Sequence, residues 1–355
     1  MASEPSSNGL AISIICVSSA MLLLCTIRYH RQQSAFHSSK TVKKKITRTN
    51  FSKQDLLDIR DSHTCPSQKL SHQPNPLCIV RGDGAYLVDE AGNRYLDSRN
   101  NVASIGHQHP KWVAAICDQI SKTNTNARYL HPIREEFCSK LLSTFPNHLT
   151  HVFLVNSGSE ANDLALRLAR AKTKRTHVIA VENGYHGITL ATLNASPYKW
   201  KDSSPPGTRV IKTPSFDTWN EIDQAVSEIP PAALIVESAL SVAGCVLPPK
   251  GWLTHAFDMV HLAGGVCIAD EIQVGLGRLG DAFWGFARDA NCRPDIVTIG
   301  KGKPKNSGGM KISYAYFCFQ GLGNGFPIGA VVCTRDIAMA LTNENRELFS
   351  TFGGK

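Results

Sequence analysis

The feature that most constrains this chain is a series of short apolar segments, each separated from the next by a stretch of helical pattern. They are Val152 to Val155, Val178 to Val181, Ala233 to Val236, Val266 to Ala269 and Ile296 to Ile299. Runs this short read as strands, and near-continuous apolar strands alternating with helices fit a mainly parallel sheet covered on both faces. The expected fold class is therefore α/β. With 355 residues, 42% of them hydrophobic and 19% charged, the chain is long and apolar enough to bury such a core. Upstream, Cys78 to Asp97 holds two strand-like runs joined by the turn signal Glu90-Ala-Gly-Asn93, which reads as a hairpin.

The net charge of +9 is unevenly placed: seven positive charges and no acidic residue lie between 28 and 50. That run has no aromatics among its lysines, only Tyr29 and Phe36 ahead of them, and no recognition motif after it, so nucleic acid is not an expected partner. Before it, Leu10 to Ile27 carries no charge over 18 residues, about the length at which a membrane span becomes possible. Positive charge on its carboxyl side would leave the large domain that follows in the cytosol, so a membrane anchor at 10–27 is expected. A mitochondrial targeting segment is the alternative, and a gene-model artefact is a third. The expected divisions are a polar amino terminus at 1–9, the anchor, a basic linker at 28–52, the amino-terminal part of a small domain at 53–105, and a large domain at 106–335. Eleven cysteines, an odd number with no C-x-x-C pair and no zinc-ligand spacing, point to reduced thiols rather than a disulfide frame or a structural metal.

In a parallel sheet, functional groups belong at the carboxyl ends of strands. After the strand ending at Val155 comes Asn156-Ser-Gly-Ser-Glu-Ala-Asn-Asp163 and then a helical pattern. Ser157 and Glu160 have capping-box spacing, and with Gly158 and Ser159 they gather amide groups and hydroxyls at a helix amino terminus, a cradle for phosphate. An ordinary capped helix has the same Ser-x-x-Glu spacing. Val266 to Ala269 leads into Asp270, a carboxylate able to hold a pyridinium nitrogen protonated, though a strand-end Asp also caps turns. Gln273 follows at a spacing that reaches a ring's phenolic oxygen. Ile296 to Ile299 leads into Lys301, whose amine becomes a nucleophile beside low-dielectric walls; alone after a strand it could equally be a solvated surface group. Tyr185-His186-Gly187 follows Val181 and offers an aromatic face for a planar ring, or a partly buried core aromatic.

The order of these elements is what a pyridoxal-phosphate (PLP) site requires. The runs Asn156 to Arg170, Tyr185-His-Gly187, Ile268 to Arg278 and Pro294 to Lys301 resemble class III aminotransferases of PLP fold type I. Tyr95 to Ala103, Gly106 to Pro110, Asn124 to Leu130 and Ser196-Pro-Tyr-Lys199 are similar to the family's phospho-lyase branch, ethanolamine-phosphate and 5-phosphohydroxylysine phospho-lyase. The likeness covers roughly residues 53 to 302 and 322 to 354. It implies a seven-stranded-type, mainly parallel large domain with helices on both faces. It also implies pyridoxal 5′-phosphate as cofactor, with Ser157, Gly158 and Ser159 on its phosphate, Tyr185 stacked on its ring and His186 in the same set. Asp270 would pair with the ring nitrogen, Gln273 would sit near the phenolic oxygen, and Lys301 would form the Schiff base, with Lys303 as the other lysine of the motif. Glu237 matches an active-site glutamate. Thr351 matches a threonine that reaches the neighbouring subunit's phosphate, so a homodimer is implied.

The reaction this implies is loss of phosphate and ammonia from O-phosphoethanolamine or a related phosphorylated amine, with Lys301 as general base. True transamination from an amino donor uses the same residues. Two departures from the family pattern suggest a third reading, a catalytically inactive, membrane-tethered form. Residues 303–321 interrupt the lysine loop before Gly321-Leu-Gly-Asn-Gly-Phe-Pro327, and 336–355 reads as a truncated interface region with an incomplete small domain. Both departures begin with Gly-Lys, at Gly302-Lys303 and Gly354-Lys355, as a splice donor would translate if read through. Two retained introns and a polypeptide with little or no activity are therefore expected.

Overall fold

A computed structural model of the chain describes residues 51–200, 204–301 and 322–353. The backbone divides into two units, 1–78 and 79–355. In the first, helix α1 (Lys53–His63) starts at a reciprocal cap: the Ser52 hydroxyl accepts from the Asp55 N–H at 3.1 Å, and the Asp55 carboxylate accepts from the Ser52 N–H at 2.7 Å.

The second unit begins with a three-stranded antiparallel sheet, β1 (Ile79–Asp83), β2 (Tyr86–Asp89) and β3 (Arg94–Leu96). The expected hairpin is thus one strand richer. Its first run breaks at Gly84, where φ is +57°, while the Glu90–Asn93 turn is tied down by the Asp89 carboxylate, which accepts from the Ala91 and Asn93 amides at 3.0 and 2.8 Å. Helices α2 (Pro110–Lys122) and α3 (Pro132–Leu142) follow, each with proline in its first turn.

The large sheet is built from β4 (His151–Val155), β5 (Val178–Val181), β6 (Thr208–Ile211), β7 (Ala233–Glu237), β8 (Val266–Asp270), β9 (Ile296–Ile299) and β10 (Gly329–Cys333), in the spatial order β4-β10-β9-β8-β7-β5-β6. Every pairing from β6 to β9 is parallel, and β10 runs antiparallel between β9 and β4. The helices after β4 are α4 (Gly158–Thr173), α5 (Leu190–Asn194), α6 (Glu221–Glu228), α7 (Trp252–Leu262) and α8 (Arg335–Thr342). Alternation along the strands divides the core. Ile179, Val181, Leu234 and Val236 pack with Trp252 and Phe257 of α7, whereas Val178, Ala180, Ala233 and Ile235 pack with Ala165 and Leu168 of α4. Helix α4 leaves the end of β4 and lies over β10, β9 and β8. Its amino terminus therefore opens beside the carboxyl ends of the strands that carry Asp270 and Lys301.

Among the described residues no helix is long and apolar enough to cross a membrane. The longest, α4, has 16 residues and is studded with charges, against about 20 apolar residues for a span. This corrects the expectation of a membrane-anchored chain; the 10–27 segment that prompted it lies outside the described residues, as does the interruption at 303–321.

Candidate active site

The amino terminus of α4 departs from the expected reciprocal cap. The Ser157 hydroxyl accepts from the Glu160 N–H at 3.1 Å, but the Glu160 carboxylate reaches past Ser157 to the Asn156 amide N–H at 3.0 Å and its side-chain amide at 2.8 Å. The amides of Gly158 and Ser159 belong to the first turn, whose N–H groups have no partner within the helix, at its positive end. A Cβ on Gly158 would lie 2.7 Å from the Ile272 side chain. The Tyr185 to Ile188 loop closes on this end of the helix: Ser159 Oγ accepts from the Ile188 N–H at 3.2 Å, and Gly187 has φ +139°. A Cβ on Gly187 would stand 2.6 Å from Ser159 Oγ, so glycine is required there twice over.

Three polar residues share a row across the strand ends, because Glu237 is in register with Asp270 and Asp270 with Thr298. Asp270 is 2% exposed. Its Oδ2 accepts from Asn162 Nδ2 at 2.7 Å and meets His186 Nδ1 at 2.7 Å, while Oδ1 accepts from the Ile272 N–H at 3.0 Å. Glu237 accepts from the Tyr185 N–H at 3.2 Å and from the Ser241 amide and hydroxyl at 3.2 and 3.0 Å. Burial pushes its carboxyl above the usual range, against the His186 side chain, which lowers it. Glu271 faces away and is fixed by the Ser238 hydroxyl and the amides of Gly285 and Phe286, a structural role.

The Lys301 N–H donates to the Ile272 carbonyl at 3.1 Å. Burial lowers the proton affinity of its amine, against the pull of Asp270 and Glu237, which raises it. Between these elements lies a cavity of about 300 Å³ on whose wall stand Ser157, Gly158, Ser159, Tyr185, His186, Asp270, Gln273 and Lys301. Gln273 Oε1 accepts from Asn101 Nδ2 at 2.7 Å, and the Arg278 guanidinium donates to the Asn101 carbonyl at 3.0 Å, so the 97–107 loop is pinned to the cavity. Asn324 pins it again from the glycine-rich stretch, accepting from the Ile105 N–H and donating to the Gly106 carbonyl, both at 3.1 Å. Tyr198 packs edge-on to Tyr185 with ring centroids 6.5 Å apart, and the Lys199 ammonium lies 5.4 and 5.1 Å from the Tyr185 and Tyr198 ring centroids.

Two expected site residues stand off the wall. Glu237 is behind Tyr185, bonded to its backbone, and Thr351 is exposed on the turn at 350–353. Three residues given no role from sequence are structurally central: Asn162, Asn101 and Asn324. Their signal was weak, since an asparagine inside a motif or beside a glycine also reads as turn chemistry.

The family model for class III aminotransferases matches residues 67–320. The chain belongs to that family. Among relatives of this class III chain, the alanine–glyoxylate aminotransferase 2-like protein of Drosophila melanogaster is 38% identical over 335 residues, 87% of this chain. The chain spans 64% of that protein's length. The ethanolamine-phosphate phospho-lyase homolog 1 of Caenorhabditis elegans is 32% identical, with 90% of this chain and 71% of the relative covered. In three dimensions the chain is similar to a phospholyase from Arthrobacter solved in complex with phosphoethanolamine, with a TM-score of 0.74, 32% identity, and coverage of 84% of this chain and 70% of that one. The fold is that of PLP-dependent transferases of fold type I, as the α/β reading expected. Class III aminotransferases use pyridoxal 5′-phosphate, and the cavity fits it: free helix-end amides for a phosphate, a buried carboxylate for a ring nitrogen, and glycines where any Cβ would intrude. The match gives no support to a membrane-tethered inactive form.

Proposed function

We propose that this chain carries the cofactor-binding part of a PLP-dependent phospho-lyase that releases phosphate and ammonia from O-phosphoethanolamine or a related phosphorylated amine. The observation that carries the reading is the meeting of Lys301 and Asp270 on one cavity wall, with the first turn of α4 on the same wall. Bound there, pyridoxal phosphate supplies an electron sink next to the substrate's Cα. Ser157, Gly158 and Ser159 would hold its phosphate, Tyr185 would cover its ring, Asp270 would keep a proton on the ring nitrogen, and Gln273 would stand by the phenolic oxygen. Lys301 would hold the cofactor's carbonyl carbon and would serve as general base toward the substrate's Cα proton; the lowered proton affinity of its amine suits both tasks. The net reaction would add one water to O-phosphoethanolamine and release acetaldehyde, ammonia and phosphate. Glu237 acts by fixing the Tyr185 turn. Thr351, exposed on its own subunit, would serve the phosphate of a second copy in a homodimer.

The likeness to a phospholyase solved with phosphoethanolamine supports this substrate class. Transamination is the second reading, favoured by the name of the Drosophila relative. Incubation with O-phosphoethanolamine separates them: inorganic phosphate appearing without a keto acid supports the lyase, and amine transfer that depends on a keto acid supports the transaminase. Neither product from a cofactor-loaded protein would overturn both.

A further inference from the structure

We infer that Asn162 is a positioning residue that acts through Asp270, locking the ring-nitrogen carboxylate and the ring-stacking loop to the phosphate-binding helix. Asn162 is the fifth residue of α4 and is wholly buried. Asparagine is a poor choice inside a helix, where its short amide competes with the backbone, so its presence one turn in from the amino terminus calls for a cause. Both amide hydrogens are committed: Nδ2 donates to Asp270 Oδ2 at 2.7 Å and to the His186 carbonyl at 2.8 Å. His186 follows Tyr185 directly, and its own ring nitrogen Nδ1 meets the same Asp270 oxygen at 2.7 Å. One side chain thus ties three parts of the site together, and the helix that offers its amino terminus to a phosphate also fixes the carboxylate. With Oδ2 held by two side chains and Oδ1 taking only the Ile272 N–H, Oδ1 keeps a free lone pair for a ring nitrogen. Asn162 Oδ1, His186 Nε2 and Thr298 Oγ1, all buried, have no hydrogen-bond partner among the described residues. The carboxylate thus has polar atoms around it rather than an apolar wall.

This inference rests on the reading of Asp270 as the partner of the ring nitrogen, and a double-mutant cycle separates the two. The dissociation constant of pyridoxal phosphate is measured for the full chain, N162A, D270N and N162A/D270N, with circular dichroism confirming the fold. N162A is expected to weaken the cofactor about tenfold in the parent and by less than about threefold in the D270N background, because residues in one network are not additive. The pH midpoint of the bound cofactor's visible absorbance should also move in N162A. An equal loss in both backgrounds, or none in the parent, would overturn the inference. A D270N variant that binds the cofactor like the parent, with an unchanged midpoint, would instead sink the reading of Asp270. If N162A does not fold, N162S, which keeps one donor in a smaller volume, replaces it in the cycle under the same criteria.

Discussion

Two carboxylate–histidine pairs stand at opposite ends of the same strands. At the carboxyl end, Asp270 and His186 are 2.7 Å apart with side chains 2% and 0% exposed. At the amino end, Asp295 and His261 are 2.9 Å apart with side chains 25% and 34% exposed. The residue types are the same, yet the surroundings assign them different work. Asp295 Oδ2 accepts from His261 and from the Cys267 N–H at 2.8 Å, closing the start of β8 and β9 against the last turn of α7. His261, Cys267 and Asp295 bring metal-binding atoms within 4.8 Å of one another. Burial nevertheless drives the Cys267 thiol well above its ordinary range, and Asp295 Oδ2 is already engaged. Asp270 instead borders a cavity and buried polar atoms that have no partner among the described residues. Strand direction decides which pair is a staple and which borders the cavity.

The comparison breaks most sharply at Lys301. Lys301→Ala should lower turnover by about 10²–10⁴-fold, the usual range for a lost acid–base group, and remove cofactor trapping by borohydride. Recovery of the reduced cofactor on Lys303, which lies outside the described residues, would move the assignment there. Because burial lowers the Lys301 proton affinity, the neutral amine should persist to a lower pH than for an ordinary lysine. The acid limb of turnover assigned to this amine should accordingly fall below the ordinary lysine value of 10.5, and a limb at that value would contradict the placement.

Exchanging the two aspartates sharpens the contrast. Asp270→Asn should cut turnover about a hundredfold or more while the protein stays folded. Asp295→Asn should leave turnover near the parent's and cost about 0.5–1.5 kcal/mol of stability, the usual net worth of a hydrogen bond that is only partly buried. Denaturant melts alongside activity assays read both, and a matching pattern in the two variants would erase the distinction. Gly187→Ala should follow, costing about 1–3 kcal/mol as a strained backbone does, with weaker cofactor binding because the Cβ is driven against Ser159.

The sequence makes part of this contrast legible. Asp270 follows its apolar run and Asp295 precedes one, so strand order alone assigns them to opposite ends. The order of the phosphate loop, aromatic, acid and lysine was equally readable, because each sits next to the strand that positions it. Two strands were not among the expected runs. In β6, Thr208-Arg-Val-Ile211 is an edge strand with Arg209 turned to solvent, and in β10 the buried Gly329 to Cys333 run is the one antiparallel insertion. Asn162 was visible in its motif but mute, since its partners Asp270 and His186 lie 108 and 24 residues away. Contacts at that separation are made by the fold.

The smallest expected effect belongs to His261, and it tests whether the amino-end pair is only a staple. The hydrogen bond to Asp295 raises the imidazole above its ordinary value of 6.5, aided by the charges of Asp295 and Asp258 and opposed by burial and Arg293. A histidine raised on folding adds stability that is fully present below 6.5 and is lost as pH rises through the folded value. The side chain is 34% exposed, so solvent screening should hold the contribution under about 1 kcal/mol. Melting the parent and His261→Asn on either side of that window should show the parent losing Tm relative to the variant as pH rises. Parallel pH profiles would mean that the imidazole gains nothing from Asp295. In that event the Cys267 N–H, which Asp295 holds whatever the pH, would be the whole reason for an acid at the start of β9.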